Sequence, residues 1–121
     1  RCTVHMNWPV LRVTINGVVV QDIDLSAHEG TAHTLRRGAL GFQHTGYPLK
    51  LRNFELTPLP DTDTAIDLFN GTDLSGWEVV RGNVDWQVRD GAIYAPGGDG
   101  YLLHEAVCED FDLSLYTRTT P

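Results

Sequence analysis

The chain has 121 residues, 41% hydrophobic and 21% charged, a composition that suits a folded domain rather than a disordered segment. Its formal charge of −7 lacks the basic footprint of a nucleic-acid binder. No apolar stretch approaches the ~18 residues that span a bilayer, so neither nucleic acid nor membrane is expected as a partner.

Turn signals cut the sequence into short pieces. In "VLRVTINGVVVQDIDL", Leu11, Val13 and Ile15 alternate with Arg12 and Thr14 before Asn16-Gly17. Asn-Gly between alternating runs predicts a two-residue hairpin, because both turn positions need φ > 0. That register puts Leu11, Val13, Ile15, Val18 and Val20 on one face, of which Leu11, Val13 and Ile15 are expected to be buried. Residues 26–37 are polar, have no period and read as a loop. "GALGFQH" alternates, with Leu40 and Phe42 on one side and Gln43 on the other.

In "PLKLRNFELTPL", Leu49 and Leu51 are in phase, but Phe54 and Leu56 have slipped by one. A β-bulge near Arg52-Asn53 would restore a single buried face; a strand covered on both sides is the alternative. "TPLPDTDT" is the best linker candidate. "LFNGTDLSGW" supplies two turns and a Trp leading into a strand. "VDWQVRDGAIYA" is a second hairpin, with Val84, Trp86 and Val88 inward and Asp90-Gly91 turning. "PGGDG" reads as a glycine-rich loop. Near the end, Phe111, Leu113 and Leu115 alternate against Asp112, Ser114 and Tyr116. No window has a helical period, so the class is all-β, a sandwich.

The motifs in residues 68–118 resemble the opening half of the 3-keto-disaccharide hydrolase family. Leu-Phe-Asn-Gly-x-Asp-Leu-x-Gly-Trp stands at 68–77, Trp-x-Val-x-Asp-Gly at 86–91, a glycine-rich segment at 96–100, and Asp-Phe-x-Leu running to Arg at 110–118. Residues 1–60 resemble the closing half, through "LRVTINGVVVQD", "GALGFQHTG" and "RNFELTPL". The resemblance implies a concanavalin A-like jelly roll, partial or permuted. It divides the chain into a closing half at 1–60, a linker at 61–65 and an opening half at 66–121. The middle of the family pattern is absent from this sequence. The expectation is therefore the end of one domain followed by the start of the next, or one permuted domain. An open sheet edge would then be completed by a second copy of the chain or by the remainder of a longer one. The segment before the linker should lie beside the one after it, because eight residues reach at most ~29 Å.

The resemblance also implies an extracellular or periplasmic carbohydrate-active protein of bacterial type, with carbohydrate as its partner. The family acts on glycosides oxidised at C3, by elimination followed by hydration. On that chemistry His44 is the candidate base, and Arg52 the residue that polarises the ketone. Gln43, Tyr116 and Arg118 are the candidate substrate-binding residues, since Tyr stacks on sugar rings and Arg donates forked hydrogen bonds. Each has a plainer alternative: a hairpin tip for Gln43-His44, a surface ion pair for Arg52, and a solvated face for Tyr116 and Arg118. Non-catalytic carbohydrate binding and a structural spacer remain the alternative functions, and fold alone does not choose among them.

No cofactor is expected. Glu105, Glu109, Asp110 and Asp112 read as a solvated loop and strand edge; their oxygen ligands leave calcium open, without an EF-hand pattern. No metal site is expected from the histidines. Cys2 and Cys108 lack zinc spacing and are expected to be free thiols, with a disulfide left open. Asn70-Gly71-Thr72 fits a glycosylation acceptor, but the turn role of Asn-Gly accounts for it.

Overall fold

Alternation and turn chemistry produce eleven strands among the described residues. The computed structural model describes residues 1–60 and 65–119, so most of the expected linker lies outside it. The strands are β1 (Cys2–Asn7), β2 (Val10–Ile15), β3 (Val18–Asp24), β4 (Gly38–Gly46), β5 (Leu49–Pro58), β6 (Ile66–Asp67), β7 (Trp77–Gly82), β8 (Gln87–Arg89), β9 (Ala92–Ala95), β10 (Gly98–Cys108) and β11 (Phe111–Thr119). The large sheet runs β3-β2-β1-β11-β5-β9-β8, with β6 also on β5; the small one runs β4-β10-β7. All pairs are antiparallel. No helix among the described residues is long and apolar enough to cross a membrane.

The two halves of the sequence share both sheets. Strand β5 pairs with β11 on one side and with β9 and β6 on the other. The segment before the linker thus lies against the segments after it, as the short connection requires. The sheets close on an aromatic cluster: Phe54 of the large sheet stacks edge-on to Phe42, 5.4 Å between centroids, and lies 5.3 Å from Trp77, both from the small sheet. Leu51, Leu56, Ile93, Leu102, Leu113 and Leu115 fill the space around it.

The slip in the β5 pattern is a bulge. Ser114 faces Glu55 and Tyr116 faces Arg52, so β5 carries one extra residue there. Asn53 has φ 55, a conformation Asn tolerates better than most residues. The bulge returns Phe54 and Leu56 to the inner face with Leu51 and leaves Arg52, Asn53 and Glu55 exposed. Both predicted hairpin turns form: Asn16-Gly17 has φ 49 and 82, and Asp90-Gly91 has φ 54 and 68.

Three expectations need correction. The β2–β3 hairpin is not core. Ile15 is 42% exposed, Val18 65% and Val20 55%, while Leu11 and Val13 are half-buried. The small sheet has three strands and covers the middle of the large one, so the outlying hairpin has no facing layer. A register shift after Val13 also sets Gln21, not Val20, opposite it. Of the other expected core residues, Phe54, Trp86, Leu113 and Leu115 are buried, and Leu40, Phe42, Val88 and Phe111 pack half-buried against them. Second, residues 26–37 are not wholly loop: a 3-10 turn at Leu25–Ala27 is capped by Asp24, and a one-turn helix, α1, covers Glu29–Ala32. Third, the glycine-rich segment begins a strand. Gly98, Asp99 and Gly100 pair with Gly46, Thr45 and His44 of β4.

Candidate functional site

The outer face of the large sheet gathers the polar residues that alternation turns away from the core. Directly opposed residues of neighbouring strands share a face, and so do residues two apart. Tyr116 opposes Arg52, Arg118 opposes Lys50, and Lys50 opposes Tyr94. A shallow cavity of about 240 Å³ opens there, lined by Lys50, Arg52, Asp90, Ala92, Tyr116, Thr117 and Arg118. Cations and rings alternate on this face, in and beside the cavity. The Arg52 guanidinium sits 5.9 Å from the Tyr116 ring centre; Lys50 lies 5.9 Å and Arg89 4.4 Å from that of Tyr94. Such stacking fixes the cations in place while leaving donors outward. Lys50 also reaches Asp90 at 3.3 Å. Arg52 and Arg118 make no ion pair among the described residues.

The structure therefore brings together Arg52, Tyr116 and Arg118 of the expected residues, and separates Gln43 and His44 from them. Alternation decides both. His44 shares the parity of Leu40 and Phe42, so it points between the sheets and is 4% exposed. It lies edge-on to Trp86, with ring centroids 6.0 Å apart. His44 Nε2 and Trp86 Nε1 are both buried without a partner among the described residues. A base for chemistry beside Arg52 cannot be His44, because the large sheet stands between them. Gln43 opposes Tyr101 on the outer face of the small sheet, on the far side of the molecule. Sequence reasoning missed Lys50 and Asp90 and offered Tyr94 only as one of four possible aromatic platforms, with Trp77, Tyr101 and Tyr116. Lys50 was findable, since it precedes Arg52 by two in a strand whose other face is Leu49 and Leu51. Tyr94 and Asp90 reach the site only through the pairing of β9 with β5, which no local pattern encodes.

A second, more open cavity of about 530 Å³ adjoins the first at Tyr116 and includes Asn53, Glu55, Asp67 and Asn70. Glu55 and Asp67 are directly opposed across β5 and β6. The acidic residues near the end of the chain are dispersed: Asp112 bonds His5, Asp110 accepts the Trp8 amide, and Glu109 faces Arg37. No group of three or more potential metal ligands occurs among the described residues. Both cysteines are free, and burial pushes the Cys108 thiol up.

The opening motif is structural. Asn70 Oδ1 accepts the amides of Thr72 and Asp73, at 2.7 and 2.9 Å, and Asp73 Oδ1 accepts that of Ser75 at 2.9 Å. Hydrogen bonds from Ser75 and Asn70 hold the Asp73 carboxyl below the usual range. These turns deliver Trp77 into the core, where its Nε1 donates to the Leu68 carbonyl at 2.7 Å.

His104 lies edge-on to Trp77, 4.8 Å between centroids, and its Nδ1 accepts the Ala106 amide. Burial holds this imidazole below the ordinary histidine value of 6.5, against the pull of Glu105; Glu78 lines the same recess. The unfolded chain then takes up this proton at higher pH than the folded one. Stability contributed by neutral His104 is full above about 6.5 and is lost as pH falls through the lower folded value. Thermal midpoints measured from about pH 7 down to about pH 5 should fall, and His104→Gln should flatten part of that decline. A His104→Gln profile parallel to wild type would refute it.

No curated protein and no solved structure matches the chain. A family model does: the 3-keto-alpha-glucoside-1,2-lyase-like domain matches residues 64–121. That segment contains the turn motif at 68–77, the Asp90-Gly91 hairpin and the β11 strand that presents Tyr116 and Arg118. Over residues 64–121 the chain is similar to the 3-keto-disaccharide hydrolase family, a carbohydrate-related domain, and its fold is an all-β sandwich.

Proposed function

We propose that the chain binds a glycoside on the outer face of the large sheet and processes 3-keto-glycosides there. The observation that carries this is the convergence of Arg52, Tyr116 and Arg118 on one cavity. The Tyr116 ring offers a platform for the apolar face of a sugar, and the two guanidinium groups donate to its ketone and hydroxyl oxygens. A C3 ketone acidifies the C2 proton. A base removes it, the electron pair forms a C1–C2 double bond, and the C1–O bond to the leaving group breaks. Water then adds across the double bond. Negative charge develops on the ketone oxygen during proton removal, where fixed donors stabilise it most. Asp90, the one acid lining the cavity among the described residues, takes the C2 proton in this scheme, positioned by Lys50. Residues 1–60 act as the closing half of the domain, 61–65 as its linker and 66–121 as its opening half; the placement of β5 between β11 and β9 supports this.

On a 3-keto-glucoside, Arg52→Ala or Arg118→Ala should lower kcat/KM by about 10²-fold. Asp90→Asn should abolish turnover while sugar binding persists, and His44→Leu should retain turnover. Loss of turnover in folded His44→Leu would move the chemistry elsewhere. A second reading, binding without turnover, is favoured by the 88% exposure of the Asp90 side chain and by the wall between His44 and the cavity. Sugar binding by titration with no product from the wild-type chain would select it.

A further inference from the structure

We infer that the sugar this face selects is anionic, a uronate whose carboxylate lies between Arg52 and Arg118. The inference rests on the outer face being the sugar site. Its basis is a local charge in this cavity opposite in sign to that of the whole protein; Glu55 and Asp67 of the same face line the adjoining cavity instead. The chain carries a formal charge of −7 with nine Lys and Arg residues. Four of them, Lys50, Arg52, Arg89 and Arg118, stand on this one face. Lys50, Arg52 and Arg118 line a single cavity whose only carboxylate among the described residues is Asp90, and Asp90 is engaged by Lys50.

Arg52 and Arg118 are therefore left with positive charge and no internal counter-ion among the described residues. Arg52 and Arg118 are diagonal neighbours across β5 and β11, ~7–8 Å apart, a spacing from which both long side chains can reach one carboxylate. A carboxylate accepts the guanidinium fork in two parallel hydrogen bonds, stronger than those to a neutral hydroxyl. The Arg52 guanidinium lies 5.9 Å from the Tyr116 ring centre, which keeps its donors close to the ring on which the sugar would stack. A carboxylate carried on C5 of a pyranose projects from the edge of a stacked ring, which is where these donors stand. A neutral sugar would leave the positive charge of both arginines unmatched. The cavity is open, so the preference should respond to salt.

The test is titration of the purified chain with a glucuronic acid disaccharide, its neutral glucose counterpart and its sulfated counterpart, at about 25 mM and about 500 mM salt. The uronate should bind at least ~10-fold tighter than the neutral sugar at low salt, and the ratio should shrink at high salt. Arg52→Gln with Arg118→Gln should bring the ratio near unity, while Arg12→Gln, paired with Asp22 on the outlying hairpin, should leave it intact. All the substituted residues are exposed, and a thermal melt verifies folding. Equal affinity for the uronate and neutral sugars would overturn the inference and leave sugar binding standing. Tighter binding of the sulfated sugar, or equal binding of polyglutamate, would overturn the uronate assignment. Absence of binding by any sugar would overturn the proposed function together with this inference.

Discussion

Phe54→Ala should lower the stability of the folded chain by about 4 kcal/mol, the middle of the range for a buried aromatic truncated to Ala. Phe54 is 1% exposed and sits where the sheets meet. Phe42 and Phe69 meet it edge-on, at 5.4 and 5.9 Å, and Trp77 at 5.3 Å. These neighbours come from β4, from the turn after β6 and from β7. They cannot all collapse into the space a lost ring leaves, because each is anchored in its own way; Trp77, for one, is tied to Leu68 through its indole nitrogen. The transfer loss and the cavity term therefore both apply. Whole-domain stability is only about 5–15 kcal/mol, so this single change removes a large share of it. Denaturant unfolding should show the midpoint fall with little change in slope. Phe54→Leu, which keeps most of the volume, should lose markedly less. A Phe54→Ala loss below about 1.5 kcal/mol would mean that the sheets are not closed around this ring.

Most of the architecture was legible because its signals are local. Asn16-Gly17 and Asp90-Gly91 demand positive φ, and both adopt it. The phase slip between Leu51 and Phe54 had one economical solution, a bulge at Asn53, and the backbone takes it. What failed was the extent of each layer. Nothing in "VLRVTINGVVV" tells whether a second sheet lies over it; alternation is equally compatible with a facing layer and with its absence. The β2–β3 hairpin has the pattern of a core ribbon and the exposure of an edge.

The candidate site divides along the same line. Parity places Tyr116 and Arg118 and the bulge singles out Arg52; their meeting depends on β5 pairing with β11, a relation between residues about sixty positions apart. Gln43-His44 reads as one polar pair at a strand end only if parity is ignored. Parity with Leu40 and Phe42 puts the two side chains on opposite faces, and the strand continues to Gly46. A histidine on an apolar face packs as core, here against Trp86. The family motif "LFNGTDLSGW" is prominent for a structural reason: its Asn and Asp close turns, and its Trp enters the core.

Gly82→Ala should be the most damaging single-methyl change in the chain, with a loss of about 3–5 kcal/mol. Two effects combine. Gly82 has φ +99, a region that side-chain-bearing residues adopt at a cost of order 1–3 kcal/mol. An added Cβ would also lie 2.0 Å from the Asp99 carbonyl oxygen and 2.4 Å from the Gly100 Cα. Both are backbone atoms of β10, so no rotamer change relieves the overlap. Gly82 opposes Gly100 at the end of the β7–β10 ladder, next to a register shift. The Asn83 amide bonds the Asp99 carbonyl at 2.9 Å, which holds the two backbones together there. β10 is the central strand of the small sheet, and Leu102, fully buried, lies two residues on. Displacing β10 at Gly100 therefore disturbs the layer that covers Phe54 and Ile93. Gly17→Ala separates conformation from crowding, since Gly17 has φ +82 with nothing within 4 Å of an added Cβ. It should lose only about 1–2 kcal/mol. Denaturation of the two variants side by side is the measurement, and equal losses would show that the close approach of β7 and β10 contributes nothing.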